Sequence, residues 1–144
     1  DLFPTFCDLA GAPVPEEVEG RSLVPILDGR AVKVRDALYT AYRDCQRAVR
    51  DERWKLIRYP LVDKTQLFDL QADPHELNNL AGRAEFAVKV TEMMQLLAKE
   101  QARYGDTAPL KVTNPQPAEW TPPAAKTDSG PARPRKQAAR RGAS

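Results

Sequence analysis

The residue types that most often carry out catalysis are scarce in this chain of 144 residues. Its two cysteines, Cys7 and Cys45, form neither a disulfide framework nor a zinc cluster, and one possible bridge leaves the redox compartment open. Its one histidine, His75, lies in a turn before a predicted short helix, where we expect an exposed structural role. No group of carboxylates has the spacing of a calcium-binding loop. We therefore predict no catalytic residue and no metal ligand in this chain.

Charge is divided unevenly along the chain, whose formal net charge is +2. Residues 121–144 contain six basic residues and one acidic residue, so residues 1–120 carry a net charge of −3. A basic tail could contact nucleic acid or another acidic surface, which makes a binding module one alternative function. No aromatic residue follows Trp120, so we expect no base stacking and no nucleic-acid partner.

Two short helices are predicted near the start of the chain. Leu2, Phe6 and Leu9 recur at helical spacing, and Gly11 ends the helix before a proline-containing stretch. A second helical turn is predicted for residues 23–27.

From residue 37 the hydrophobic period changes to two, which is typical of half-buried strands. Strands are predicted at residues 37–42, at 47–50 and 54–59 around a short hairpin loop, and at 66–70. Residues 84–104 form the strongest predicted helix. A core-facing stripe runs along it at steps of four, three and four: Phe86, Val90, Met93 and Leu97.

These elements predict an α+β fold with a small four-stranded antiparallel sheet packed by one long C-terminal helix. Beyond Pro109 the composition shifts to Pro, Ala, Lys and Arg without periodicity, which predicts a disordered basic tail. The predicted organisation is a helix and loop over residues 1–30, a sheet-and-helix subdomain over 31–110, and the tail over 111–144.

The length and the first residues point to a part of a larger protein. A chain of 144 residues is too short for a large enzyme built on a central parallel sheet. Asp1 opens a segment that already reads as packed structure, so we expect it to lie inside a longer chain. No signal peptide is recognisable and no apolar run approaches the roughly 18 residues of a membrane span. Localisation stays open, because an address at the parent's N-terminus would be missing here.

Four segments, taken in order, resemble the C-terminal part of sulfatases. Residues 1–11 resemble the family's "D-x-x-P-T…D-L-A-G" helix, and residues 20–29 its "G-x-S-L-x-P-x-L-x-G" segment. Residues 47–57 are similar to its "R-A-V-R…[WY]-K-L-I" hairpin, and residues 66–80 to its "E-L-Y-D-L…D-P-x-E-x-x-N-L" ending. Any one segment is a weak signal, whereas four in the right order are a strong one.

The resemblance implies a parent of the alkaline-phosphatase-like α/β superfamily that hydrolyses sulfate esters. Such enzymes use a formylglycine made from Cys or Ser in "[CS]-x-P-x-R" and a calcium ion held by Asp and Asn oxygens. Neither cysteine here has a proline two residues on. We therefore expect this chain alone to be inactive and to bind no cofactor. Residues 1–30 would end the N-terminal catalytic domain, and the rest of that domain, with nucleophile and calcium, would be its partner.

One local departure from the family supplies the candidate site residues. In many relatives the loop before "R-A-V-R" carries a histidine in an "E-H-x-G-N" run that can approach the mouth of the active site. Here Tyr42, Arg43 and Gln46 occupy that place. Arg43 could meet a sulfate or an anionic leaving group with its fork of donors, or it could solvate a hairpin tip. These three residues are the predicted substrate contacts.

Two alternatives to a sulfatase remain open from the residues. A phosphonate or phosphate monoester hydrolase of the same superfamily would share this C-terminal architecture. A truncated gene product without activity would also carry these segments. The coding sequence upstream of Asp1 discriminates between them, since a catalytic parent needs "[CS]-x-P-x-R" a few hundred codons earlier.

Overall fold

The computed structural model describes residues 1–119, which form three α-helices and one four-stranded sheet with two short 3-10 turns. The helices are α1 (Leu2–Leu9), α2 (Val24–Leu27) and α3 (Ala87–Arg103). The strands are β1 (Leu38–Tyr42), β2 (Gln46–Arg50), β3 (Trp54–Tyr59) and β4 (Lys64–Asp69). The predicted α+β architecture is confirmed. Of the tail predicted over residues 111–144, residues 111–119 are described; they contain no helix or strand, and the Gln116 N–H donates to the Leu61 carbonyl at 2.7 Å. Residues 120–144 lie outside the described part, so their predicted disorder stays a prediction.

The sheet is an antiparallel meander in the order β1-β2-β3-β4. Its register pairs Val49 with Leu56 and Leu56 with Leu67, which places these three residues on one face. Because side chains alternate along a strand, Ala48, Ile57 and their neighbours lie on the other face.

The main core lies between the first of these faces and α3. Leu56, Leu67 and Leu97 are fully buried there, and Met93 joins them from the helix. The predicted stripe of α3 therefore packs on the sheet, as its spacing requires. Phe86 tilts against Trp54 with the ring centroids 5.9 Å apart, which fixes the start of the helix over β3.

The predicted short helix after Asp73 is absent, and this prediction was wrong. Glu76 has φ 55, a left-handed backbone that interrupts a helix. The Asn79 carboxamide instead accepts hydrogen bonds from the backbone N–H of Leu67 and Ala81, both at 3.0 Å. The loop therefore forms hydrogen bonds with the outer edge of β4. His75 lies in this loop and is exposed.

The first 30 residues present apolar side chains to solvent. Along α1, Leu2, Phe6 and Leu9 are each more than 60% exposed, and Leu27 of α2 is 72% exposed. Thr5 is buried and links the two helices, because its hydroxyl accepts the Leu23 N–H at 2.9 Å. Across residues 1–119 no helix is both long and apolar enough to cross a membrane.

Candidate functional site at the hairpin tip

The predicted contact residues come together at the tip of the β1–β2 hairpin, defined here as residues 42–46. Tyr42 and Gln46 lie opposite each other in the register and close a three-residue turn. Arg43 opens the turn with φ 48, in the left-handed region that costs a side-chain-bearing residue free energy. The Cys45 thiol donates to the Tyr42 carbonyl at 3.2 Å.

Three side chains of the tip, those of Tyr42, Arg43 and Asp44, are exposed, whereas Cys45 and Gln46 are half-buried. Tyr42 is 59% exposed, and the Arg43 guanidinium carbon lies 5.6 Å from the centroid of its ring. Arg43 is itself exposed, and no carboxylate among residues 1–119 pairs with it. The tip therefore offers a free guanidinium beside an aromatic ring, an arrangement that can accept an anion.

A second arginine, Arg47, holds the tip from beneath. Its Nη1 donates to the carbonyl of Arg43 and, at 3.2 Å, to the carbonyl of Gln46. Its Nε and Nη2 donate to the two carboxylate oxygens of Asp106 at 2.9 and 3.3 Å. Arg47 is only 5% exposed and Asp106 is half-buried, so this pair is partly shielded from water.

Asp106 is the centre of this network. Beyond Arg47 it accepts the Tyr39 hydroxyl and, at 2.9 Å, the Ala108 N–H. The Arg47 guanidinium, together with these two donors, holds the pKa of Asp106 well below its usual range. Asp106 in turn raises the pKa of Arg47. Burial, followed by the bond to Asp106, raises the pKa of Tyr39 to about 12. All three groups keep their charge state throughout the neutral range.

Three further carboxylates on or beside the sheet are paired with basic side chains. Asp69 pairs with Arg53, whose guanidinium is the main cause of the lowered pKa of Asp69. Asp63 pairs with Arg58, and Glu76 with Lys55. Among residues 1–119 no three His, Cys, Asp or Glu side chains lie close enough to hold a metal ion.

Among the described residues the cysteines form no disulfide, and one cleft lies at the end of β1 that is remote from the tip. Cys7 and Cys45 are both free and half-buried. A cleft of about 430 Å³ opens at the other end of β1, where Leu38 and Arg50 are among its lining residues and Arg43 is not. The candidate site is therefore an exposed tip, which would need another surface opposite it to enclose a ligand.

The three predicted residues Tyr42, Arg43 and Gln46 lie at one hairpin tip, and their contact with substrate stays a prediction. The network beneath them is not predicted by the sequence, because Arg47 stands out there only as part of a motif and Asp106 is 59 residues away from it. No local pattern reports such a pair. The one available signal was a lone aspartate directly after the glycine that ends the long helix.

Residues 129–133 read Ser-Gly-Pro-Ala-Arg and fit the pattern "[CS]-x-P-x-R", although neither cysteine does. They lie outside the described residues. Three fixed positions within a segment rich in Pro, Ala and Arg match by composition alone, so this pentapeptide is weak support for a nucleophile.

Comparison with protein families gives one extended match. The family described as N-sulphoglucosamine sulphohydrolase, C-terminal, matches residues 1–103. The chain is 37% identical over 121 residues to the N-acetylglucosamine-6-O-sulfatase of Bacteroides thetaiotaomicron, covering 76% of this chain and 22% of that protein. It is 41% identical over 88 residues to the choline-sulfatase of Rhizobium meliloti, covering 56% of this chain and 17% of that protein.

Solved structures agree in fold. One, of a protein in complex with its substrate D-glucosamine-2-N,6-O-disulfate, superposes with a TM-score of 0.67 at 36% identity, covering 76% of this chain and 25% of that one. The phosphonate monoester hydrolase of Agrobacterium radiobacter superposes with a TM-score of 0.56 at 30% identity, covering 72% and 24%. The chain thus spans about a quarter of the length of the proteins it matches.

Proposed function

This chain belongs to the sulfatases, in the group of their C-terminal domains, and from that premise we propose that it is the C-terminal part of an enzyme that hydrolyses sulfate monoesters. The observation that carries the proposal is the family match over residues 1–103, which includes the whole sheet and the long helix. We call the proposed longer protein the parent enzyme.

In the parent, this piece completes the fold. The exposed apolar residues of α1 and α2 supply the surface that the rest of the catalytic domain would cover. A finished domain rarely leaves several large apolar side chains exposed on two adjacent helices. Fully burying one such side chain contributes about 1.5–3 kcal/mol of transfer free energy relative to leaving it in water.

The nucleophile and the calcium ion belong, in this proposal, to the part of the parent that precedes Asp1. The described residues do not fit a calcium site, since no three donor side chains converge. When bound in the parent, calcium would neutralise the sulfate.

The contribution of this piece to chemistry is the hairpin tip at the rim of the pocket. A sulfate ester carries a full negative charge before the reaction and keeps it as the S–O bond breaks, so a positive donor at the pocket rim binds the substrate as well as the transition state. Arg43 is permanently charged, exposed and unpaired within residues 1–119, and Tyr42 and Gln46 flank it with a hydroxyl and a carboxamide. We assign to them contact with the anionic or leaving-group side of the ester.

A phosphonate monoester hydrolase is the second candidate, and the similarity to the Agrobacterium radiobacter enzyme favours it. Both enzyme classes need positive donors around a tetrahedral anion, and the hairpin tip would serve either.

Matched esters separate the two candidates. The purified parent would be assayed on 4-nitrophenyl sulfate, 4-nitrophenyl phosphate and a 4-nitrophenyl phosphonate monoester, which share one leaving group. We expect kcat/KM for the sulfate to exceed the other two by an order of magnitude or more. Highest kcat/KM for the phosphonate monoester would replace the proposal with the second candidate.

A further inference from the structure

The tip is held in a conformation that its own backbone does not favour. Arg43 adopts φ 48, in the left-handed region that is unfavourable for a residue with a side chain. β1 is also an edge strand that is mostly exposed, so little packing restrains the tip from that side. Something outside the turn must therefore select this conformation.

The Arg47 guanidinium is the selecting contact. It donates to the carbonyls of Arg43 and Gln46, the two ends of the turn, from a buried position on the helix-facing side of β2. These bonds are geometrically demanding because the guanidinium is planar and rigid. The orientation of the guanidinium plane therefore determines the positions of the Arg43 and Gln46 carbonyls, and with them the conformation of the turn.

Asp106 fixes that orientation. Its carboxylate binds Nε and Nη2 of Arg47, which leaves Nη1 directed at the tip. Asp106 in turn accepts hydrogen bonds from the Tyr39 hydroxyl and the Ala108 N–H. It directly follows Gly105, whose φ of 64 turns the chain away from the end of α3. A continuous set of hydrogen bonds thus joins the end of the long helix to the tip.

We propose that Asp106, acting through Arg47, is the positioning residue that sets the conformation of the hairpin tip and so aims Arg43 at the substrate. The part of this proposal that directs Arg43 toward the substrate rests on the proposed function. The link between Asp106 and the tip rests only on this geometry. Asp106 also lies beyond the 103 residues that the family match covers.

The chain contains its own matched control in Arg58. This arginine is buried on the same sheet face and also binds the segment after α3, donating to the Leu110 carbonyl at 2.8 Å. Its other donors go to Thr65 and Asp63. It therefore shares the burial and the anchoring role of Arg47 without contacting the tip.

The test uses three variants of the full-length parent: Asp106→Asn, Arg47→Lys and Arg58→Lys. Hydrogen exchange would be measured by mass spectrometry on peptides spanning residues 42–47, relative to a peptide from α3 in the same sample. Asp106→Asn and Arg47→Lys should speed exchange at the tip roughly tenfold, the effect of losing about one net hydrogen bond. Arg58→Lys should leave the relative exchange of the tip unchanged. Unchanged tip exchange in Asp106→Asn would overturn the proposal.

Steady-state kinetics supply the second readout. Asp106→Asn and Arg47→Lys should raise KM for a sulfate ester in the same direction as Arg43→Ala, with a smaller change in kcat, and Arg58→Lys should not. Faster tip exchange in Asp106→Asn, with KM moved only by Arg43→Ala, would overturn the positioning role. If neither Arg43→Ala nor Asp106→Asn moves KM while tip exchange rises, the substrate contact fails and the link to the tip is upheld. Arg47→Lys keeps the positive charge and serves if Asp106→Asn does not fold.

Discussion

At the scale of single residues, the arginines of the sheet divide into two kinds. Arg47, Arg53 and Arg58 each bind a carboxylate, and these pairs hold strands and loops together. Arg43 and Arg50 are exposed and have no carboxylate partner within residues 1–119, and of these two only Arg43 lies at the hairpin tip against a tyrosine ring. A surface arginine with a neighbouring tyrosine and a fixed backbone is available for an external anion, which is why Arg43 bears the functional assignment.

Replacing Arg43 with alanine in the parent enzyme should raise KM for a sulfate ester roughly 5- to 150-fold, because a charge-assisted hydrogen bond is worth about 1–3 kcal/mol. The change should fall mainly on KM if the contact is equally strong in ground and transition states. Asp44→Ala is the matched control, since Asp44 is exposed in the same turn. Steady-state kinetics with charged and uncharged leaving groups measure the effect. Equal kcat/KM for Arg43→Ala and wild type on both esters would return the tip to a structural role.

The Asp106–Arg47 pair predicts a pH dependence of stability. The folded-state pKa of Asp106 is lowered, mainly by Arg47, so its contribution is complete above its ordinary pKa of about 4. That contribution decreases as pH falls below about 4 toward the folded pKa. The gap in melting temperature between the parent and Asp106→Asn should therefore be largest at pH 6–7 and smaller at pH 3. A difference in melting temperature that increases as the pH is lowered would contradict an ionised Asp106 paired with Arg47.

At the scale of elements, the loop after β4 protects an open strand edge. Asn79 accepts the Leu67 N–H, and the Leu67 carbonyl accepts the Leu80 N–H at 2.8 Å. The loop therefore pairs with the edge of β4 without being a strand itself. This gives the "D-P-x-E-x-x-N-L" ending a physical role, since an unpaired edge invites association with other chains.

Asn79→Ala should destabilise the parent by about 1 kcal/mol, because its carboxamide satisfies two backbone N–H groups. The neighbouring Asn78→Ala is the control, since the Asn78 side chain makes only one 3.2 Å bond to Asp73 on the exposed surface. Urea unfolding midpoints compare the two. A larger loss for Asn78→Ala than for Asn79→Ala would refute the edge-pairing role.

The sequence predicted the elements whose patterns are local and missed those that depend on distant partners. Alternation over residues 37–59 gave the first three strands, and the stripe from Phe86 to Leu97 gave the long helix. The sequence predicts a short helix after Asp73 where the structure has a loop, because a left-handed Glu76 and an edge-binding Asn79 have no periodic signature. The pairing of Arg47 with Asp106 was invisible for the same reason, since it joins β2 to the segment after α3.

At the scale of the whole molecule, the first 30 residues and the sheet-and-helix unit differ in how well they bury their apolar side chains. The sheet and α3 enclose a buried core of their own, whereas α1 leaves Leu2, Phe6 and Leu9 in water. A contiguous apolar surface of this kind is typical of an interface.

Residues 1–144 expressed alone should consequently self-associate. Sedimentation velocity at increasing concentration should show mass growth, and the double variant Phe6→Ser/Leu9→Ser should reduce it, because both side chains are largely exposed on α1. Val88→Ser, an exposed apolar change on α3, is the control and should not reduce it. A monomeric chain with a sharp two-state thermal transition would contradict this expectation.

The amount of free sulfate released from a defined ester shows whether the parent enzyme is a sulfatase. The parent enzyme and residues 1–144 would be incubated in parallel with 4-nitrophenyl sulfate and N-acetylglucosamine-6-sulfate, and free sulfate would be quantified by ion chromatography. We predict sulfate release by the parent and none above the blank by residues 1–144, with or without Ser129→Ala. Sulfate release by residues 1–144 that Ser129→Ala abolishes would contradict the prediction that this chain is inactive alone. No release by the parent from either ester would contradict the proposal that the parent is a sulfatase.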